Sequence, residues 1–329
     1  MIFILETNMA SAFKDILSNS TASFKKINLY DRTVYITWGD NLNFDSKNVI
    51  KIPADGKIIL SSRKWKNEDT IVNVNGIPIG GKKVVIAAGP CSVESKDQLY
   101  EIANIIKKGG ASILRGGAFK PRTSPYSFQG LGKKGIDILK EIKDETGMPI
   151  LTEILDIESV KKFENDIDII QVGSRNGQNF SLLQFLGKLR KPILLKNGMG
   201  NTVEEWLNAS EYILSNGNGN VILCYRGVRS FENGTRYSMD VGAISQVKHL
   251  SHLPLSADPS HPAGKRSYVE DLALAAVASG ADMLEIEVHN NPENALSDNA
   301  QQLTLTEFLN LVNKIEKLSE ALGRGLWKK

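Results

Sequence analysis

Short apolar runs alternate with longer amphipathic segments from Lys83 to the C-terminal end of the chain. Near-continuous apolar runs bounded by Gly or Pro are typical of parallel strands buried on both faces. The strands predicted in this way are Val84–Ala88, Ser112–Leu114, Ile150–Glu153, Ile167–Val172, Ile193–Lys196, Val221–Cys224, Leu253–Ala257 and Met283–Val288. The periodicity between and after them predicts helices near Lys96–Lys107, Lys133–Glu145, Ile157–Phe163, Phe180–Leu189, Thr202–Leu214, Met239–Lys248, Ser267–Ala278 and Thr304–Leu322.

Eight strand–helix units over about 240 residues favour the (β/α)8 TIM barrel of the α/β class. The alternative is an open, doubly wound sheet, whose first strand should be followed by a G-x-G-x-x-G turn. The turn after the first predicted strand instead reads Gly89-Pro-Cys-Ser, which lacks that spacing. We therefore predict a catalytic barrel over residues 83–329.

A different pattern precedes the barrel. Residues 1–62 contain one helical stretch near Ala10–Leu17 and several short β-rich runs, which predict a small α+β module of ferredoxin-like type. Those runs are Ile2–Leu5, Phe24–Leu29, Thr33–Thr37 and Val49–Ile52. Residues 63–82 predict a polar linker followed by a β-hairpin, because Asn75-Gly76 separates two alternating apolar runs.

The composition narrows the class of protein. Apolar residues make up 41% and charged residues 23% of the 329 residues, as in ordinary globular proteins. The net charge of +3 is too small to indicate nucleic-acid binding, and no apolar run reaches the ~18 residues of a membrane helix. Cys91 and Cys224 are too few for a disulfide framework, so we expect a cytoplasmic location.

Charged side chains collect where the predicted strands end. Because the carboxyl ends of parallel barrel strands meet at one rim, these side chains should converge. The basic ones at the rim are Arg115, Lys120, Arg122, Arg175, Lys196 and Arg226. Such a cationic pocket would recognise phosphate or carboxylate groups.

A second group at the rim has metal-ligand chemistry. Cys91, His261 and Glu287 follow strands that a closed barrel brings together, and Asp298 lies in the loop after the last strand. One thiolate, one imidazole and carboxylates suit a divalent transition metal. The alternative is a buried cysteine beside a hydrogen-bonded structural histidine.

Four stretches resemble 3-deoxy-D-arabino-heptulosonate 7-phosphate (DAHP) synthase, in the subgroup related to 3-deoxy-D-manno-octulosonate 8-phosphate synthase. They are Gly89–Glu94, Leu114–Gly132, Asp258–His261 and Glu287–His289, and the resemblance spans about residues 70–325. It implies a transferase for the first step of the shikimate pathway. That enzyme condenses phosphoenolpyruvate, erythrose 4-phosphate and water to DAHP and phosphate. The octulosonate synthase, which uses arabinose 5-phosphate, is the alternative; Lys-Pro-Arg-Thr-Ser at 120–124 favours the former.

The resemblance also implies roles for individual residues. It implies a divalent metal such as Mn, Fe, Co or Zn on Cys91, His261, Glu287 and Asp298. It implies phosphoenolpyruvate on Arg115, Lys120, Arg175, Lys196 and Arg226, and the aldehyde phosphate on Arg122, Thr123 and Ser124. The catalytic set implied is Lys120 as general acid, Glu153 near the attacking water, Cys91 and His261.

This chain departs from the family pattern in two places, one at the carboxyl end of a barrel strand and one in the N-terminal module. The family often has Cys-Glu-Arg-Gly where this chain has Cys224-Tyr225-Arg226-Gly227, which puts any contact of that glutamate in doubt. The N-terminal module differs in detail from the usual one, which can bind an aromatic amino acid as feedback inhibitor; an assembly or lid module is the alternative. The family resemblance also implies a homotetramer.

Overall fold

The computed structural model describes residues 1–5, 10–38, 49–53 and 58–328. Parts of the predicted N-terminal module, at 6–9, 39–48 and 54–57, lie outside the described residues. The remainder of that module forms four strands, β1–β4, and one helix, α1. Their bounds are β1 Ile2–Leu5, α1 Ala10–Ser18, β2 Ser23–Leu29, β3 Arg32–Trp38 and β4 Val49–Ile52.

The sheet of the module has the order β2-β3-β1-β4, and all of its pairings are antiparallel. Alternation along the strands gives it two apolar faces. One face, with Phe3 and Tyr35, packs on Phe13 of α1. Ile4 and Val34 on the other face belong to the buried cluster that also contains the outer layer of the barrel. The module is thereby joined to the barrel by continuous apolar packing.

Eight parallel strands form a closed barrel, as the sequence predicted, because the last strand pairs with the first. The strands are β7 Val85–Gly89, β8 Ile113–Arg115, β9 Ile150–Glu153, β10 Ile169–Val172, β11 Ile193–Lys196, β12 Val221–Tyr225, β13 Leu255–Ala257 and β14 Met283–Glu287. The helices around them are α2 Lys96–Lys108, α3 Lys133–Thr146, α4 Ile157–Phe163, α5 Phe180–Leu186, α6 Val203–Leu214, α7 Val241–Leu250, α8 Ser260–Ala263, α9 Arg266–Ala278 and α10 Leu305–Ala321.

The predicted hairpin is present and closes the amino-terminal end of the barrel. Strands β5 (Val72–Val74) and β6 (Ile77–Ile79) pair across Asn75 and Gly76, both with positive φ. The four apolar side chains of the hairpin pack in one cluster with residues of the barrel interior, among them Val85 and Ile169. The hairpin is therefore part of the barrel core rather than of a free linker.

The segment between module and hairpin is fixed to the barrel by backbone and side-chain hydrogen bonds. Arg63 N–H donates to Leu250 O at 2.9 Å, and Thr70 N–H donates to His252 O at 2.8 Å. The carboxylate of Glu211 on α6 accepts the N–H groups of residues 59, 60 and 61. These contacts hold the segment against the amino-terminal side of the barrel, far from the carboxyl ends of the strands.

Candidate active site

The carboxyl ends of the barrel strands surround a cavity of about 250 Å³. This is the rim at which barrel enzymes carry their chemistry. The cavity brings together all predicted substrate residues and three of the other predicted site residues. They are Arg115, Lys120, Arg122, Thr123, Ser124, Arg175, Lys196 and Arg226, with Glu153, His261 and Asp298.

Two of the basic residues are buried and are held by acidic partners. Arg115 at the end of β8 contacts Glu285 at 3.1 Å and Glu287 at 3.5 Å. Lys196 at the end of β11 contacts Asp258 at 2.7 Å and Glu285 at 2.9 Å. Burial by itself would lower the pKa of both cations, but these carboxylates outweigh it and raise the pKa. Both groups therefore stay charged. A buried cation needs acidic partners of this kind to remain charged.

The predicted metal ligands also meet. The ligand atoms of Cys91, Glu287 and Asp298 all lie within 4.8 Å of one another. His261 Nε2 lies 4.0 Å from Glu287 Oε1 and 3.8 Å from Asp298 Oδ2. His261 is positioned by α8, and its Nδ1 lies 2.6 Å from Asp258 Oδ2. A carboxylate on the second ring nitrogen is the usual support of a metal-ligating histidine.

The donor set fits a divalent transition metal. It offers one sulfur, one imidazole nitrogen and two carboxylates, a mixture that such ions accept. Burial, reinforced by Glu287, raises the pKa of the Cys91 thiol to about 12. Burial would also raise the pKa of Asp298, but His261 and Arg236 lower it instead. The carboxylates are therefore ionised, and the thiol becomes a ligand by giving up its proton to the bound ion.

Lys120 stands between the cavity and the metal ligands. Its Nζ lies 3.0 Å from Cys91 Sγ and donates to Cys91 O at 2.9 Å. Burial would lower the pKa of Lys120, but the adjacent Cys91 sulfur and the Glu287 carboxylate raise it. The Lys120 amino group is therefore protonated, and it faces both the cavity and the predicted metal ligands.

Glu153 at the end of β9 is oriented by the neighbouring strand. Gln171 Nε2 on β10 donates to Glu153 Oε2 at 3.4 Å, in the register that pairs these two residues. A Cβ on Gly173 would collide with the Glu153 carboxylate, so a larger residue there would displace that carboxylate. Burial raises the pKa of Glu153. Its carboxyl group is thus a stronger base than an exposed one.

The loop after β8 carries the predicted aldehyde-phosphate residues. Thr123 Oγ1 accepts a hydrogen bond from Arg175 Nη2 at 3.2 Å. Arg122 Nη1 lies 3.6 Å from Asp298 Oδ1. The loop thereby places its basic and hydroxyl groups beside the metal ligands, at the outer part of the cavity.

Tyr225, the departure from the family motif, lies outside the cavity. Alternation along β12 turns Cys224 and Arg226 towards the barrel interior and Tyr225 towards the helices. Tyr225 is buried against Trp206, and its hydroxyl accepts Asp240 N–H at 3.3 Å. The side chain at 225 therefore points away from the cavity that the predicted substrate residues line.

Several rim residues were missed by the sequence reasoning. Arg236 and Tyr237 line the cavity from the loop after β12. The Arg226 guanidinium lies 4.0 Å from the Tyr237 ring centroid, and its buried Nη1 has no hydrogen-bond partner in the described part of the chain. The only sequence signal for Arg236 is that it is a basic residue in the long loop after strand β12. Nothing local indicated that Glu285 would neutralise both Arg115 and Lys196.

Fold and rim together define a class: barrels whose mouth combines an anion-binding cavity with a mixed sulfur, nitrogen and oxygen metal set. A model of the DAHP synthetase I family matches residues 64–323. A phospho-2-dehydro-3-deoxyheptonate aldolase of Thermotoga maritima is 46% identical over 277 residues, covering 84% of this chain and 81% of that protein. A 2-dehydro-3-deoxyphosphooctonate aldolase of Geobacter sulfurreducens is 29% identical, covering 75% and 97%.

A solved structure of the Thermotoga maritima DAHP synthase covers 99% of both chains, with a TM-score of 0.82 and 40% identity. A truncated form of that enzyme covers 83% of this chain and all of its own, with a TM-score of 0.78. The chain belongs to the DAHP synthetase I family. The predicted family, fold, enzyme class and reaction are confirmed.

The other predictions are tested less far. The family is in general metal-dependent, which together with the ligand cluster supports the expected divalent ion. Among the described residues, no helix combines the length and apolar character that crossing a bilayer requires. The domain boundaries at 62 and 82 and the site roles stay predictions.

Proposed function

We propose that this chain condenses phosphoenolpyruvate with erythrose 4-phosphate and water at the described cavity, releasing DAHP and phosphate. The observation that carries the assignment of the site is the convergence of the six basic residues on one cavity that His261 and Asp298, two of the proposed metal ligands, also line. Two polyanionic substrates repel each other, and a fixed cationic site offsets that repulsion and their loss of translational freedom.

Phosphoenolpyruvate is assigned to the deeper part of the cavity. Arg115, Lys120, Lys196 and Arg226 would hold its phosphate and carboxylate, with Arg175 at the rim. The unpartnered Nη1 of Arg226 supports this, because a buried guanidinium nitrogen without a partner is costly unless a ligand supplies one. Stacking on Tyr237 fixes the plane of that guanidinium and thus its hydrogen-bonding direction.

Erythrose 4-phosphate is assigned to the outer part. Arg122, Thr123 and Ser124 would bind its phosphate, which leaves the aldehyde directed inwards. Cys91, His261, Glu287 and Asp298 would hold one divalent metal ion. When bound there, such an ion supplies Lewis acidity next to the aldehyde oxygen.

The bond changes follow from these positions. Carbon 3 of phosphoenolpyruvate attacks the aldehyde carbon, and the Lys120 ammonium gives a proton to the oxygen that becomes the alcohol. Water adds to carbon 2 and gives a proton to Glu153. The bond between carbon 2 and the phosphate oxygen then breaks, and the remaining hydroxyl proton on carbon 2 passes to the departing phosphate, which leaves a ketone and phosphate. In oxygen-18 water the ketose oxygen at carbon 2 should be labelled and the phosphate should not; labelled phosphate would contradict this order.

The alternative substrate is arabinose 5-phosphate, because octulosonate-type relatives also match this chain. Their sequence identity is lower, at 29% for the Geobacter sulfurreducens protein. Lys120–Ser124 has the Lys-Pro-Arg-Thr-Ser form and supports the four-carbon aldehyde. We also propose a cytoplasmic homotetramer; two buried free cysteines support a reducing location.

The test is consumption of phosphoenolpyruvate by the chelated and the metal-reconstituted enzyme with each aldehyde. We expect turnover only with metal, and faster turnover with erythrose 4-phosphate than with arabinose 5-phosphate. Arg226→Met should raise the KM for phosphoenolpyruvate by roughly tenfold or more, as loss of a buried charged hydrogen bond does. Arg190→Met, at the opposite end of the barrel, is the matched control. An unchanged KM in Arg226→Met would contradict the assignment.

A further inference from the structure

Asp298 differs from the other proposed metal ligands in how the fold holds it. Cys91 lies two residues after the end of β7, His261 lies on α8 and Glu287 ends β14. Asp298 belongs to no helix or strand, and its φ of +43° lies in the left-handed region that residues other than glycine seldom adopt. A ligand in that conformation needs tertiary contacts to hold it.

Gln302 supplies one such contact. Its side chain is fully buried, its Oε1 accepts Cys91 N–H at 2.9 Å, and its Nε2 donates to Ser297 O at 2.8 Å. One carboxamide therefore joins the backbone at the thiol ligand to the backbone immediately before Asp298. Glutamine suits this position because it must donate at one end and accept at the other.

Gln301 supplies a second contact, to a different ligand. Its buried Nε2 donates to Glu287 Oε2 at 2.6 Å, and its Oε1 accepts from Arg236 Nη1 at 2.8 Å. Arg236 in turn lies 3.3 Å from Asp298 Oδ2. Gln301 thus engages Oε2 of Glu287, whereas Oε1, which Arg115 contacts at 3.5 Å, lies 4.0 Å from His261 Nε2.

We propose that Gln301 and Gln302 are positioning residues that hold Cys91, Glu287 and Asp298 in ligating arrangement. The inference rests on the metal role of these residues under the proposed function. Neither glutamine offers an atom to the ion; each acts through the hydrogen bonds of a ligand or of its backbone. Groups of this kind usually contribute ten- to hundredfold in metal affinity.

The experiment is a cobalt titration of the metal-free full-length enzyme. Thiolate-to-cobalt absorption reports binding through Cys91, and competition with a chelator gives Kd. The variants are Gln302→Met and Gln301→Met, each of which keeps the length of the side chain and loses both its donor and its acceptor. Gln184→Met, on the exposed face of α5, is the control. Thermal unfolding of the metal-free variants, followed by circular dichroism, shows that each is folded.

We expect Kd to rise tenfold or more in Gln302→Met and in Gln301→Met, and to stay unchanged in Gln184→Met. Folded variants that bind cobalt with the wild-type Kd would overturn the inference, even if their thermal stability were reduced. Failure of the proposed metal set is recognised separately, since the wild-type enzyme would then show no thiolate absorption. Because the two glutamines contact different ligands, Gln302→Met keeps the test available should Gln301→Met not fold.

Discussion

Acid should weaken the attachment of the linker to the barrel through one histidine, His252. This residue precedes β13 and is 1% exposed. Its Nε2–H donates to Leu60 O at 2.7 Å, so its Nδ1 must be the acceptor for the Thr70 hydroxyl at 2.8 Å. Tyr30 and Trp65 pack edge-on against the ring. Both nitrogens are engaged in the neutral form; protonation would bury a cation and turn the Thr70 hydroxyl from donor to acceptor.

Burial lowers the pKa of His252 from 6.5 to about 4. Between these pH values the unfolded chain binds a proton that the folded chain does not. Stability is therefore complete above pH 6.5 and falls as the pH is lowered to about 4. A pKa difference of about 2.5 units corresponds to about 3 kcal/mol of unfolding free energy.

The perturbation is His252→Gln, because glutamine keeps one donor and one acceptor but does not titrate. The free energy of unfolding is measured by urea denaturation near pH 7 and near pH 4. We expect the variant to lose about 3 kcal/mol less than the wild type between these two conditions. His249→Gln, which removes an exposed histidine on α7, should follow the wild type. Equal losses in His252→Gln and wild type would refute the reasoning.

Three further variants test the rim. Cys91→Ala should abolish metal-dependent turnover while circular dichroism shows an intact fold; full activity after chelation would contradict the ligand role. Lys120→Met should lower kcat by about 10²–10⁴-fold, the usual contribution of a general acid, without a comparable loss of thermal stability. Gly173→Ala should lower kcat by about 100-fold, since its Cβ displaces the Glu153 carboxylate; steady-state kinetics and a crystal structure of the variant would check both statements.

The barrel strands could be predicted because both faces of each are buried. Ile150–Glu153 and Ile193–Lys196 were predicted with the bounds that the structure shows, and the other barrel strands lie within two residues of their predicted bounds. Helix α8, which carries His261, was missed, since four residues are too few for helical periodicity.

The sequence predicts which residues lie at the rim, but it does not predict which of them form ion pairs and hydrogen bonds with each other. Parallel strands bring their carboxyl ends together whatever the loops do, so Arg115 and Lys196 had to converge. That Glu285 lies between them depends on which way strand β14 turns its side chains and on barrel closure. The hydrogen bonds of Gln301 and Gln302 depend on a loop conformation that no local pattern specifies.

The hairpin β5–β6 has a consequence for any shortened form of this chain. Its four apolar side chains cover the base of the barrel interior, although the hairpin precedes the first barrel strand along the chain. A polypeptide starting at Lys83 would leave that floor open to water and expose Val85 and Ile169. The smallest independently stable fragment should therefore start before Val72, so that it includes the hairpin that covers the barrel interior.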